Sequence, residues 1–366
     1  MVVNTAPGLS EMVGELKAAG AFAFDSEFIG ERSYEPVLCL VQAATARKVF
    51  LVDPLGGLDL SELWELLVCP TMEKIILAGR QDFGPAVRRM QRPPANIMDV
   101  QIAAGFVCTE HPLSLARLLT EFVGVSLDKG GKFTHWDSRP LSAMQMRYAA
   151  DDVRYLPAAR EAIGKRLAEL GRTAWAREEC AAALEDISLY RPPKETLYLR
   201  VRRRDGLGRR RLAVLRELAI WRDRAARQEN VPTRTLLKDG ILMALARRPA
   251  RSLADLDGVK GLPRPVENKY GRQIVEATAR ALALSDDQLP PAEPRESRAL
   301  AVRADRIWAD LGQFCRERSI APSLVASRRE VGRACRVAAS GQPVEQHRLL
   351  RGWRKELLGD LLDRHF

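Results

Sequence analysis

A change of pattern near Tyr190 constrains this chain more than any other feature. Before it, short apolar runs that suit strands alternate with segments whose apolar residues recur at helical spacing. AFAFDSEF (21–28), VLCLVQAA (37–44), KVFLVDP (48–54) and EKIILAG (73–79) read as strands. Segments 9–20, 60–67, 80–90, 114–124 and 141–170 read as helices, and 96–107 as a strand passing into a helix. Short turns between the first three strands predict an antiparallel meander. Strands first, then helices alternating with strands, predict an α/β domain with a mixed sheet flanked by helices. After Tyr190 every apolar segment has helical spacing, which predicts small all-α bundles.

The 366 residues are too many for one compact core. Composition shifts divide them into an α/β domain (1–190), a basic connector (191–211), a helical bundle (212–284), a Pro-rich linker (285–297) and a second bundle (298–366), read as a diverged repeat of the first. Charge divides at the same place. Residues 1–190 hold 20 Lys and Arg against 25 Asp and Glu, net −5, whereas 191–366 hold 38 against 22, net +16. An acidic half joined to a basic half suggests chemistry at one end and polyanion binding at the other. Arg202, Arg203, Arg204, Arg209, Arg210 and Arg211 either meet phosphates or form a solvated connector. Trp221 and Trp353 are expected in bundle cores, and Trp136 is open between core and site.

No apolar stretch approaches the ~20 residues of a membrane helix, and Glu11 and Glu15 replace the basic start of a signal peptide. The six cysteines lie far apart without a CxxC pair, so they are expected to be reduced thiols in the cytoplasm. With only four histidines, a zinc site is not expected.

Asp25 and Glu27 end an apolar strand, although acids are poor strand residues. Residues two apart in a strand share a face, so the two carboxylates repel unless a cation lies between them. They are either a platform for a hard divalent cation such as Mg²⁺ or two acids at a solvent-exposed strand end. Asp82 opens a helix after a short strand, where the helix dipole alone favours an acid. Tyr148 and Asp152, at i and i+4, share a helical face.

These residues, in this order, resemble the ribonuclease D family of DEDD 3′→5′ exonucleases. DSEFIGERSYEP resembles its first motif, with an aspartate–x–glutamate followed by an aromatic and a Tyr-x-Pro turn. CLVQ resembles the following strand, Asp82 takes the place of the second-motif aspartate, and MDVQIAA resembles its Asp-Thr-Gln fragment. Tyr148 and Asp152 match Tyr-x-x-x-Asp, and KFTHWDSRPLS resembles its Trp-x-x-Arg-Pro-Leu segment. The basic helices resemble HRDC domains, and GWRKELLG (352–359) resembles the family's chain end.

The resemblance implies a ribonuclease H-like exonuclease domain followed by two HRDC-like bundles. It implies hydrolysis with two divalent ions, Mg²⁺ or Mn²⁺, held by Asp25, Glu27, Asp82 and Asp152, with Asp25 bridging. Tyr148 would orient the attacking water. Nucleoside 5′-monophosphates would leave the 3′ end of RNA, such as a tRNA precursor, without a small-molecule cofactor or a membrane. A catalytically weak RNA-binding protein and a DNA 3′-exonuclease are the alternatives. Leu77 replaces a family histidine, Val100 the threonine of Asp-Thr-Gln, and Thr134-His135 a Ser-Asp pair; none is an implied metal ligand. A chain cut after residue 205 is expected to keep some hydrolysis while binding RNA less tightly.

Overall fold

The structure, a computed structural model, describes residues 1–127, 135–202, 206–291, 296–341 and 347–363. It has two compact units. One comprises Met1–Phe28, Leu38–Tyr190 and Glu296–Phe366; the other comprises Ile29–Val37 and Arg191–Arg295.

The first unit is built on six strands: β1 (Val2–Val3), β2 (Ala21–Ile29), β3 (Val37–Ala44), β4 (Val49–Val52), β5 (Glu73–Ile76) and β6 (Ile97–Asp99), in the order β1-β4-β3-β2-β5-β6. β3 and β4 are antiparallel, as the meander requires. β1 is parallel to β4, β2 to β5, and β5 to β6, so the sheet is mixed. Helices α1 (Ala6–Ala19), α2 (Ser61–Val68), α3 (Gly84–Met90), α4 (Val100–Ala104), α5 (Leu115–Phe122), α6 (Ala143–Arg154), α7 (Leu156–Glu169) and α8 (Thr173–Leu184) accompany it. Local chemistry sets their ends. Thr5 caps α1, which stops where Gly20 takes φ 73°, a conformation costly for other residues. Ser142 and Gln145 form a capping box at the start of α6. The expected helical stretch 141–170 is two helices, with Pro157 in the first turn of α7.

In the second unit the 3₁₀ turn Lys194–Arg200, α10 (Thr233–Leu236), α11 (Asp239–Arg247) and α13 (Arg264–Leu282) pack against α9 (Arg209–Gln228), and α12 (Ala254–Asp257) joins α11 to α13 in the chain. Trp221 is buried and meets Tyr270 edge-on at 5.9 Å. The segment expected as a connector instead contributes Tyr198, Val201 and Leu207 to this core. Two of its arginines are engaged internally. Arg209 donates to the Asp286 carbonyl at 2.6 Å, and Arg210 pairs with the Asp286 carboxylate at 2.8 Å. Arg202 and Arg211 are exposed; Arg203 and Arg204 lie outside the described residues. Tyr34 belongs to this unit too, donating to Asp223 at 2.6 Å with Arg227 over its ring.

The segment 298–366, expected as a separate bundle, does not have its own core. Its helices α14 (Arg298–Glu317), α15 (Pro322–Val325), α16 (Arg328–Ala339) and α17 (Gly352–Asp363) bury Ile307, Leu311, Val325 and Trp353 in one cluster with Phe22, Phe24 and Phe106. Trp353 is core, as expected, but the core is that of the sheet's unit: it meets Phe106 edge-on at 4.7 Å and stacks on Trp175 at 6.1 Å. Glu179 of α8, 5% exposed, receives both Arg354 Nη1 (2.6 Å) and Nη2 (2.9 Å) and the Trp353 indole (2.9 Å). Burial alone would raise the Glu179 carboxyl, but Arg354, Arg348 and Trp353 hold it below the usual glutamate value. Helical spacing shows which face of a helix is apolar and says nothing of which partner covers it. All six cysteines are free, and among the described residues no helix is long and apolar enough to cross a membrane.

Candidate active site

β2 pairs with β5 from Ala21 to Ala23, and β5 ends at Ile76 while β2 runs on to Ile29. Asp25, Ser26 and Glu27 therefore lie past the paired stretch, at the carboxyl ends of two parallel strands, where open α/β sheets place their ligands. The turn after β5 brings Asp82 to the same place: Ser26 Oγ donates to Asp82 Oδ1 at 2.6 Å. Asp99, at the end of β6, accepts from the Ala78 N–H at 3.1–3.2 Å and so pins the left-handed Ala78 (φ 57°) in that turn. α6 supplies Tyr148 and Asp152.

A cavity of about 310 Å³ is lined by Asp25, Ser26, Glu27, Tyr148 and Asp152 on its polar side and by Leu77, Leu115 and Leu156 on its apolar side. Asp82 lies behind this lining, 7% exposed. A second cleft, about 320 Å³, is floored by Met98, Val100 and Ala103; its one carboxylate, Glu161, is already paired with Lys165.

The acids strain one another electrostatically. Burial raises Asp25 to about 6, partly offset by the Ser26 N–H it accepts. Burial, then Asp25, Asp152 and Asp82, raise Glu27 to about 8. Asp82 rises to about 8 through burial and Asp25, and Asp152 to about 7 through burial, Asp25 and Asp151. No basic side chain is among the causes for any of the four. Tyr148 is pushed well above the usual tyrosine range by burial, then by Asp152, Glu27 and Asp25, and its hydroxyl hydrogen-bonds Asp152. Trp136, open between core and site, is buried with its ring 6.1 Å from that of Tyr148.

Sequence reasoning named the acids and Tyr148 but passed over three supporting residues. Ser26 carries no signal of its own between the two acids of the strand. Asp99 was noted only within a family-like fragment. Gly79 carried no signal, yet a Cβ there would lie 2.5 Å from Asp82 Oδ2. Gly79→Ala should therefore displace the Asp82 carboxylate, lowering turnover roughly 10–100-fold while the melting temperature stays near wild type. Unchanged turnover would show that the placement of Asp82 is unimportant.

Comparison with known proteins identifies the family of the fold. The family described as 3′-5′ exonuclease matches residues 1–168, and the HRDC domain family matches residues 211–278. The fold and these two matches define a 3′→5′ exonuclease domain joined to an HRDC region. Ribonuclease D from Gluconacetobacter diazotrophicus is 35% identical over 98% of this chain and 91% of that protein. Ribonuclease D from Desulfotalea psychrophila is 31% identical over 100% of this chain and 98% of its own. The crystal structure of Escherichia coli RNase D, described as an exoribonuclease involved in structured RNA processing, superposes with a TM-score of 0.85 at 28% identity, covering 100% of this chain and 97% of that one. The chain belongs to the ribonuclease D family.

Proposed function

We propose that this chain is a metal-dependent 3′→5′ exoribonuclease that removes nucleoside 5′-monophosphates one at a time from the 3′ ends of stable RNA, tRNA precursors among them. The observation that carries this reading is the meeting of Asp25, Glu27, Asp152 and Tyr148 around one cavity, with Asp82 within electrostatic reach. RNA as the substrate rests on the relatives, which are ribonucleases D. The six free thiols suit a reducing compartment, and we place the enzyme in the cytoplasm.

The donor set fits divalent cations. It consists of carboxylate oxygens, the ligands hard cations prefer, and among the described residues no basic side chain is a cause of the shifts at its acids. Among the described residues no three such groups form a finished cage. Asp82 accepts a hydrogen bond from Ser26. Asp25, Glu27, Asp82 and Asp152 would hold two ions, Mg²⁺ or Mn²⁺. When bound, such ions acidify water and stabilise charge on the entering and leaving oxygens of a phosphodiester.

The chain's own residues do the rest. Asp25, whose charge acts on Glu27, Asp82 and Asp152, would help hold both ions. Tyr148, kept protonated by its surroundings, would use its hydroxyl to orient the attacking water beside Asp152. The leucine wall would exclude bulk water from the cavity and offer an apolar surface to the terminal base.

The test is hydrolysis of 3′-extended tRNA and of single-stranded DNA with Mg²⁺, Mn²⁺ or EDTA. Mononucleotide release from RNA, metal-dependent and weaker on DNA, is expected. Tight RNA binding without hydrolysis under any metal would establish the binding-protein alternative.

Linkage gives a second test. The four carboxyls have folded values above their unfolded ones. Folding therefore favours their protonated forms, and that stability is intact below the unfolded values and lost as pH rises through about 6 to 8. Metal-free protein should melt at lower temperature at pH 8 than at pH 5.5, and millimolar Mg²⁺ should restore the loss. A melting temperature indifferent to Mg²⁺ at pH 8 would count against a cation site.

A further inference from the structure

The segment WDSRP (136–140) is not used by the carboxylate cluster, yet it is held more tightly than a surface loop needs. Arg139 makes five hydrogen bonds. Its Nε and Nη2 donate to the two oxygens of Asp53, the latter at 2.8 Å, and Nη2 also reaches the Cys39 carbonyl at 2.7 Å. Nη1 donates to the carbonyls of Trp136 and Ser138, each at 2.8 Å. One guanidinium thus ties this segment to β3 and to the residue following β4. A planar five-donor fork suits that arrangement, and an ammonium cannot reproduce it.

What is tied down is Trp136. It is 3% exposed and its ring lies against that of Tyr148, 6.1 Å away and inclined by 39°. On the far end of the phenol, the hydroxyl bonds Asp152. Tyr148 is therefore held at two points: its ring against the indole of Trp136, a residue whose backbone carbonyl accepts from Arg139, and its hydroxyl by a site acid.

We infer that Arg139 is a positioning residue for hydrolysis, which acts through Trp136 to set the orientation of the Tyr148 phenol in the carboxylate cavity. This rests on the reading that the Tyr148 hydroxyl orients the attacking water. Because Arg139 bonds Asp53 and the carbonyls of Cys39, Trp136 and Ser138 and is not part of the cavity lining, its loss should be felt in turnover and hardly in substrate affinity.

The experiment measures kcat and KM on a single-stranded oligoribonucleotide, with melting temperatures, for wild type, Arg139→Lys, Trp136→Phe, Tyr148→Phe and the double variant Arg139→Lys/Tyr148→Phe. Misplacing a reacting group by about 1 Å costs up to ~100-fold, so Arg139→Lys should lower kcat roughly 10–100-fold, with KM within about twofold. Trp136→Phe, which keeps an aromatic ring, should fall between it and wild type. With Tyr148→Phe already present, Arg139→Lys should lower kcat by no more than about threefold, since coupled residues are not additive. If Arg139→Lys costs as much in the Tyr148→Phe background as in wild type, its role is structural and the inference is overturned. If Tyr148→Phe alone retains full kcat, the reading of Tyr148 fails and the inference with it. Should Arg139→Lys fail to fold, the same cycle with Trp136→Phe decides the matter.

Discussion

Replacing Asp25 by asparagine should lower exonuclease turnover by roughly a thousandfold or more, with the fold intact. The side chain keeps its shape but loses the charge that would bind the cations, and cation stabilisation of the transition state is worth several kcal/mol. Asp25 raises Glu27, Asp82 and Asp152, so its charge is felt by every other acid of the site. The substitution should therefore also raise the melting temperature of metal-free protein at pH 8, because it relieves repulsion in a buried cluster. Loss of activity together with gain of metal-free stability is the signature of a site whose charge serves function at the expense of folding. Turnover within about tenfold of wild type would mean that Asp25 does not have a central role in metal binding.

A chain ending at residue 295 should fail to give a cooperatively folded exonuclease domain. This departs from the sequence expectation for a cut after residue 205, and the reason is the shared core. Such a cut removes Ile307, Leu311, Val325 and Trp353 from the cluster that includes Phe22, Phe24 and Phe106. It also leaves Glu179 buried without Arg354 and Trp353. The same contact is open to finer dissection. Glu179→Ala strands the Arg354 guanidinium, whose side chain is 4% exposed, and loss of one partner of a buried ion pair costs about 3–5 kcal/mol. Burial alone already depresses Arg354 below the usual arginine range. Glu179→Leu combined with Arg354→Met removes both charges and should recover much of that stability. Urea unfolding followed by circular dichroism measures all three proteins. A 1–295 chain with a wild-type transition would show that the C-terminal helices are accessory.

Particular residues show how far the sequence could be read. Asp25 and Glu27 stood out because acids at the end of an apolar strand need a reason. Helical spacing put Tyr148 and Asp152 on one face and no more, and the order of all five residues carried the family resemblance that implied their roles. The sheet's middle was legible from apolar runs, whereas β1 has only two residues and too short a pattern to detect. Arg209 and Arg210 were open between phosphate contact and a solvated connector because sequence records charge, not partners; the structure engages them with residues 286 and 289. Trp353 was correctly assigned to a core, but the identity of that core depends on tertiary packing between α8 and α17. Ser26 and Gly79 matter through contact with Asp82, 56 and 3 residues away respectively in the chain, and nothing local announces either contact.

The most direct test of the whole account is anomalous diffraction from crystals soaked in Mn²⁺. The account predicts two manganese peaks in the cavity, with Asp25 touching both and Glu27, Asp152 and the Asp82 side completing their surroundings. Crystals that bind manganese elsewhere but leave this cavity empty at saturating concentration would contradict it.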